Sequence, residues 1–217
     1  MTATLTEVYD RLFAAYGPQH WWPADSPFEV LIGAVLVQNT AWQNVKKAID
    51  TLRREDLLEP RALYGLSVEE LEEKIRPAGY FRVKARRLRH LLGFLVNRYG
   101  GSLDAMFRTG LPELREQLLA IHGIGPETAD SILLYAFERP VFVVDAYTYR
   151  IATRHQLIEP QCDYEQLRSL FEDNLADDIK KFNEFHALLV RNGKEFCRPR
   201  ARCAGCPLEK LPHQIEE

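Results

Sequence analysis

Long apolar runs are missing from this chain. The longest, Val30 to Val37, is too short to cross a bilayer, and the first seventeen residues carry Glu7 and Asp10 where a secretion signal would be basic and then apolar. A cytoplasmic protein with no membrane partner is expected. A basic excess is missing too: 28 Lys and Arg against 31 Asp and Glu give a net charge of −3. With a pI near 6.1, bulk charge argues against nucleic-acid binding. Neither internal repeats nor a low-complexity linker is present, so any domain division must be read from the helices.

What is present is enough for a full core. With 217 residues and 46% hydrophobic composition, the chain forms one large domain or two small ones. Its charges are sorted rather than mixed. Arg82, Lys84, Arg86, Arg87 and Arg89 crowd one stretch, Arg191, Lys194, Arg198, Arg200 and Arg202 another, and acids gather in 55–74 and 165–178. Either basic run alone reads as a solvated helix face.

Apolar spacing is helical almost throughout, and the fold class is all-α. Stripes run through Leu5, Val8, Leu12 and Tyr16, through Trp42, Val45, Ile49 and Leu52, and through Leu88, Leu91, Leu92 and Leu95. Ser67 with Glu70 makes a capping box for a helix to Ile75, and Pro112 opens a helix through Leu118 and Leu119. Val141 to Val144 looks strand-like but has no pairing partner, so an extended link is expected there. Pro23, Pro27 and the turn 138–140 are the strongest punctuation. They suggest a central helical domain over 23–136 and a terminal one made of 1–22 plus 137–217, with Asp145 on one lobe and the turn described next on the other, across a cleft.

That turn lies between Ile121 and Pro126. Gly123-Ile124-Gly125 bends the backbone where side chains would clash, and a helix starts at Pro126 with unpaired amides. The helix–hairpin–helix so formed suits a phosphate, held by successive N–H groups and the helix dipole. Because Gly-x-Gly is weakly specific, a plain interhelical turn fits the same residues. Asp145, about twenty residues on, suits capping of the next helix, and the same carboxylate can do chemistry.

The run GIGPETAD followed by VVDAYTYR resembles the helix–hairpin–helix DNA glycosylases of the endonuclease III superfamily. The likeness extends from LIGAVLVQNT at 31–40, through AGYFRVKARRL at 78–88, to the cysteine-rich end. It implies two helical lobes, double-stranded DNA as partner, a monomer, and a monovalent cation at the hairpin. It also implies that Asp145 is catalytic: the carboxylate stabilises an oxocarbenium-like sugar or orients water, once the target nucleotide has left the stack. Gln38, Gly123, Ile124, Gly125, Thr128, Arg82 and Lys84 are the implied DNA contacts. Gln38 would fill the gap left by the extruded base, although a polar residue ending a helix reads the same way, and Tyr80-Phe81-Arg82 sits where a second wedge would. Superfamily members that also cut the backbone carry a lysine where this chain has Glu127, so no lyase activity is expected.

His20-Trp21-Trp22-Pro23 followed by FEVLIGAVLVQNTAW resembles the 3-methyladenine DNA glycosylase III branch. On that resemblance Trp22, Pro23 and Trp42, with Trp21 beside them, line the base pocket, and Trp42 stacks on the base. A cationic alkylated purine gains ~0.5–2 kcal/mol on an indole face. Taken singly, each tryptophan also suits core packing. Cys197-x5-Cys203-x2-Cys206 resembles the family's [4Fe–4S] loop, with one residue fewer in the first gap and Pro212 in the fourth cysteine's place. His213 or Cys162 would complete it; zinc on three Cys and one His is the rival, and free thiols the third choice.

Overall fold

The computed structural model describes residues 3–175 and 178–214. Among these, every regular element is helical. The chain begins with α1 (Leu5–Tyr16), then runs through α2 (Pro27–Leu36), α3 (Trp42–Arg54), α4 (Pro60–Gly65), α5 (Val68–Ile75) and α6 (Phe81–Tyr99). A single 3-10 turn, Arg76–Ala78, links α5 to α6. There follow α7 (Leu103–Phe107), α8 (Leu111–Leu119), α9 (Pro126–Phe137), α10 (Ala146–Arg154), α11 (Tyr164–Leu175) and α12 (Ile179–Glu195). No helix among the described residues is long and apolar enough to cross a membrane.

The chain divides into two compact units, one of Met1–Pro23 with Arg139–Glu217 and one of Ala24–Glu138. In the second unit α2 is the central rod. It is apolar on nearly every face, Phe28 to Leu36 are all buried, and it packs against α9, α6 and α3. Full burial of a side chain such as Leu31 or Ile32 stabilises by roughly 1.5–3 kcal/mol. Ser26 caps α2 with Pro27 at its first position, and the capping box of Ser67 and Glu70 opens α5 as the sequence predicts.

The first unit is built on α12, which packs against α1 and α10. Gly193 permits the approach of α10: a Cβ there would meet Cδ1 of Tyr147 at 2.4 Å. Val141 to Val144 are extended and buried, as expected. They pair with no strand; instead the Phe142 amide donates to Glu172 (2.9 Å) and its ring stacks on Phe171 with centroids 4.0 Å apart. Backbone donors buried away from sheet or helix are thus met by side chains.

Candidate functional site

The hairpin is held from below by its own apolar residues, since Ile121 and Ile124 are buried while Gly125 and Glu127 are exposed. Gly123 has φ +93°, and a Cβ on it would meet Cγ of Arg87 at 2.4 Å. Any side chain there would have to displace Arg87 and adopt a strained backbone. Gly125 caps α9 without a side chain, and Pro126 occupies the first turn, so the helix start presents backbone alone.

Three residues expected on the DNA face turn inward. Lys84 is buried, and its ammonium donates to the carbonyls of Leu36 and Ala78, both at 2.8 Å. It cannot meet a phosphate; its charge is spent tying the end of α2 to the turn before α6. Burial and neighbouring Arg87 push its pKa down to about 8. Thr128 is buried as well, and its hydroxyl accepts from Nε2 of Gln38 at 2.8 Å. Gln38 also donates to the Gly123 carbonyl at 3.2 Å and accepts from Arg87. Arg82, by contrast, is exposed, with its guanidinium over the ring of Phe81.

In the other unit Asp145 caps α10, so the capping role exists in fact: Oδ1 accepts from the Thr148 amide at 2.8 Å and hydroxyl at 3.0 Å. Its other oxygen lies 3.6 Å from Nε2 of buried His186 on α12. Burial by itself would raise the carboxyl's pKa, but His186 and the Thr148 donors outweigh it and hold Asp145 below the usual carboxylate range. The group is an ionised carboxylate at neutral pH, fixed in direction by the two Thr148 donors, with His186 Nε2 3.6 Å from its other oxygen. His186 was missed in the sequence because it stands as a lone polar residue on an apolar stripe, between Phe185 and Ala187.

Trp21 and Trp22 are half-buried and meet edge to face, with centroids 5.8 Å apart. Lys194 lies 5.8 Å over the Trp21 ring. Pro23 is exposed beside them, and in the other unit Trp42 is half-buried at the first position of α3.

Cys197, Cys203 and Cys206 line one hollow together with His155, His213, Arg154 and Asn192. Arg154, buried, donates to Cys197 Sγ (3.3 Å), the Arg198 carbonyl (2.7 Å) and the Pro199 carbonyl (2.8 Å), so the loop is pinned from behind. Burial raises the Cys206 thiol, and the other two cysteines add to that. Among the described residues no three Cys, His, Asp or Glu side chains converge as ligands to one metal ion. Cys162 does not line the hollow; its thiol faces the Asp163 carbonyl. His213 does line it, and its Nδ1 is engaged by the Leu211 carbonyl at 2.8 Å, with Nε2 as its remaining nitrogen.

Comparison with known proteins places this geometry. Residues 32–177 match the HhH-GPD superfamily of base excision DNA repair proteins. "Putative DNA repair glycosylase MJ1434" of Methanocaldococcus jannaschii is 45% identical over 207 residues, covering 94% of each chain. Endonuclease III of Thermotoga maritima is 31% identical, over 84% of this chain and 81% of its own length. Among solved structures, Helicobacter pylori 3-methyladenine DNA glycosylase (MagIII) bound to 1,N6-ethenoadenine superposes with a TM-score of 0.77 at 29% identity, covering 87% of this chain and 96% of its own. A non-covalent endonuclease III–DNA complex shares the fold, with a TM-score of 0.81 at 24% identity over 96% and 93% of the two chains.

Proposed function

The chain belongs to the HhH-GPD superfamily of base excision DNA repair proteins, and from that premise we propose that it is a monofunctional DNA glycosylase that hydrolyses alkylated purines of the 3-methyladenine type out of double-stranded DNA. The observation that carries this reading is a buried, ionised Asp145, with Glu127 where a lyase would need an amine.

The chemistry follows from what such a carboxylate can do. The bond between C1′ and the purine nitrogen breaks, and its electron pair leaves with the base. An alkylated purine is already cationic and leaves as a neutral molecule, so no general acid is required. Positive charge then appears on the sugar. Asp145, held by Thr148 with His186 beside it, stabilises that charge and directs water to C1′; as the new C–O bond forms, the water's proton passes to the carboxylate and on to solvent. Glu127 offers no amine for a Schiff base, so the backbone stays intact.

Two features favour a cationic purine. Trp22 and Trp42 are both half-buried indoles, and an indole face attracts a cation more than a neutral ring does. The Helicobacter pylori relative is named for 3-methyladenine. The hairpin supplies the grip on the strand, through backbone at Gly123 and Gly125 and charge at Arg82.

The donor set at the C-terminal hollow fits a [4Fe–4S] cluster, with Cys197, Cys203 and Cys206 as ligands and His213 as the fourth. Bound there, the cluster supplies a cross-link and no step of the hydrolysis. It would hold the exposed Arg198, Arg200 and Arg202 in one loop for the DNA backbone.

The test is release of free base from duplexes carrying 3-methyladenine, uracil or an oxidised thymine, by wild type and by Asp145→Asn. Release of 3-methyladenine alone, lost in the variant, is expected. Preferential release of a pyrimidine would move the substrate to the endonuclease III type, and tight lesion binding with no release from any duplex would make the protein a damage-binding factor.

A further inference from the structure

Two buried donors in the wall of the cysteine hollow have nothing to bond. Asn192 on α12 is 1% exposed, Arg154 at the end of α10 is 5% exposed, and both line the hollow. Among the described residues, neither Asn192 Nδ2 nor Arg154 Nε has a hydrogen-bond partner. Burying an N–H without an acceptor is costly, so two such groups around one hollow point to an acceptor that fills it.

Asn192 is the more informative of the two. Its backbone carbonyl accepts from the Cys197 amide at 3.0 Å, and its Oδ1 lies 3.5 Å from Cys206 Sγ, so one residue touches the cysteine loop at both ends. The same Oδ1 accepts from the Tyr16 hydroxyl at 3.0 Å. Tyr16 is the last residue of α1 and leads into the segment that carries Trp21 and Trp22. That segment is seated on α12 by several contacts: Arg191 lies 4.3 Å over the Tyr16 ring and donates to its carbonyl at 3.4 Å, and the Gln19 amide donates to Glu184 at 2.8 Å.

We propose that Asn192 gives an N–H to the Cys206 sulfur when that cysteine holds iron, and that through Tyr16 the same amide seats the tryptophan segment on the metal loop. The inference rests on the [4Fe–4S] reading of the hollow. A cysteine bound to iron has given up its S–H proton to solvent, and its sulfur then only accepts. Oδ1, which accepts from the thiol, would face a second acceptor. Half a turn of the carboxamide puts Nδ2 in its place, within reach of both the sulfur and the Tyr16 oxygen, and uses the two N–H groups that have no protein partner. One unmet acceptor replaces two unmet donors. Tyr16 is half-buried, and its own proton turns to solvent. Asn192 is thus a positioning residue that joins the metal loop to α1.

The experiment compares Asn192→Leu, which fills the space without a polar atom, with Tyr16→Phe, which keeps the ring and loses the hydroxyl. Protein is purified without oxygen, and three quantities are read: the lifetime of the visible band under a chelator, the reduction potential of the cluster, and the tryptophan emission. Asn192→Leu is expected to shorten the lifetime about tenfold. It should also lower the potential, because hydrogen bonds to sulfur favour the more negative, reduced cluster, and shift the emission to the red. Tyr16→Phe should shift the emission in the same way at wild-type potential. If Asn192→Leu does not fold, Asn192→Ala takes its place. A wild-type potential and lifetime in the Asn192 variant overturn the sulfur contact, and unchanged emission in both variants overturns the link to the tryptophans. A colourless, iron-free wild type overturns the cluster reading itself and is seen before any variant is compared.

Discussion

His186 Nε2 stands 3.6 Å from Oδ2 of Asp145, and both side chains are buried. The pair sets the charge on the proposed catalytic carboxylate. Burial pushes Asp145 up, and His186 together with the Thr148 donors outweighs it, so removing the imidazole must raise its pKa. In His186→Gln the acid limb of the rate–pH profile for base release is expected to move to higher pH, with the plateau reduced on the order of tenfold. A profile lowered uniformly with no shift would mean that His186 only packs.

Asp145 has one observed role and one proposed role, and substitutions can separate them. As a cap it bonds Thr148 with Oδ1; as a reactant it needs its charge. Asparagine caps as well as aspartate, whereas alanine loses about 1 kcal/mol at such a position. Asp145→Asn should therefore keep its stability at neutral pH and lose roughly two to three orders of magnitude in single-turnover rate. Asp145→Ala should lose both. Because the folded carboxyl lies below its ordinary value, its ionisation stabilises the fold at pH above 3.8, and that contribution disappears as pH falls through the lowered pKa. Acid titrations followed by circular dichroism should show wild type unfolding at a higher pH than Asp145→Asn, which has no carboxyl to protonate at this position.

How far the sequence could be read depended on whether a signal was local. Helix periodicity, the Ser67 capping box, the extended link before Asp145 and the hairpin glycines are written in neighbouring residues, and the helices they predict are present. Side-chain direction is not. Lys84 lies in a run of arginines that points to solvent on charge alone, but the end of α2 leaves the Leu36 carbonyl to be met from inside. Only the tertiary approach of α6 decides that a lysine meets it. His186 belongs to the same class, forty-one residues from its partner with no motif joining them. Its significance arises only when α12 packs against α10.

The exchange of lysine for Glu127 predicts what borohydride will trap. An enzyme without a nucleophilic amine at that place should form no covalent adduct with abasic DNA. Glu127→Lys should form one, because the position is exposed at the first turn of α9. Trapping of wild type would overturn the monofunctional reading. Loss of that adduct in a Lys84→Met variant would then identify the amine, since a pKa of about 8 leaves part of Lys84 unprotonated near neutral pH.

Lys84 also leaves a signature in stability. Its pKa is 10.5 when unperturbed and about 8 here, so between those values the unfolded chain binds more protons than the folded one. Stability contributed at this site must rise with pH across that window, by up to roughly 3 kcal/mol. The difference in unfolding free energy between wild type and Lys84→Met, from urea titrations at pH 7.5 and pH 10, should grow in favour of wild type. A difference independent of pH would show that the ammonium is better solvated than its burial indicates.

The cysteine hollow makes its prediction in the visible spectrum. Three thiols share the hollow without converging on one point, whereas zinc would draw its ligand atoms to within about 2.3 Å of a single ion. A cluster distributes its ligands over separate irons. Protein purified without oxygen should be brown, with a broad band near the blue end of the spectrum and about four irons and four sulfides per chain. Cys203→Ser should lose the band. His213→Ala should weaken it and change the electron paramagnetic resonance of the oxidised protein, while Cys162→Ser should leave both untouched. One zinc per chain and no colour would replace the cluster with a single ion and require the loop to close further around it. Either metal would leave Arg154 in the same task, holding the loop from Cys197 to Pro199, so Arg154→Met should release metal faster than wild type under a chelator even with every ligand in place.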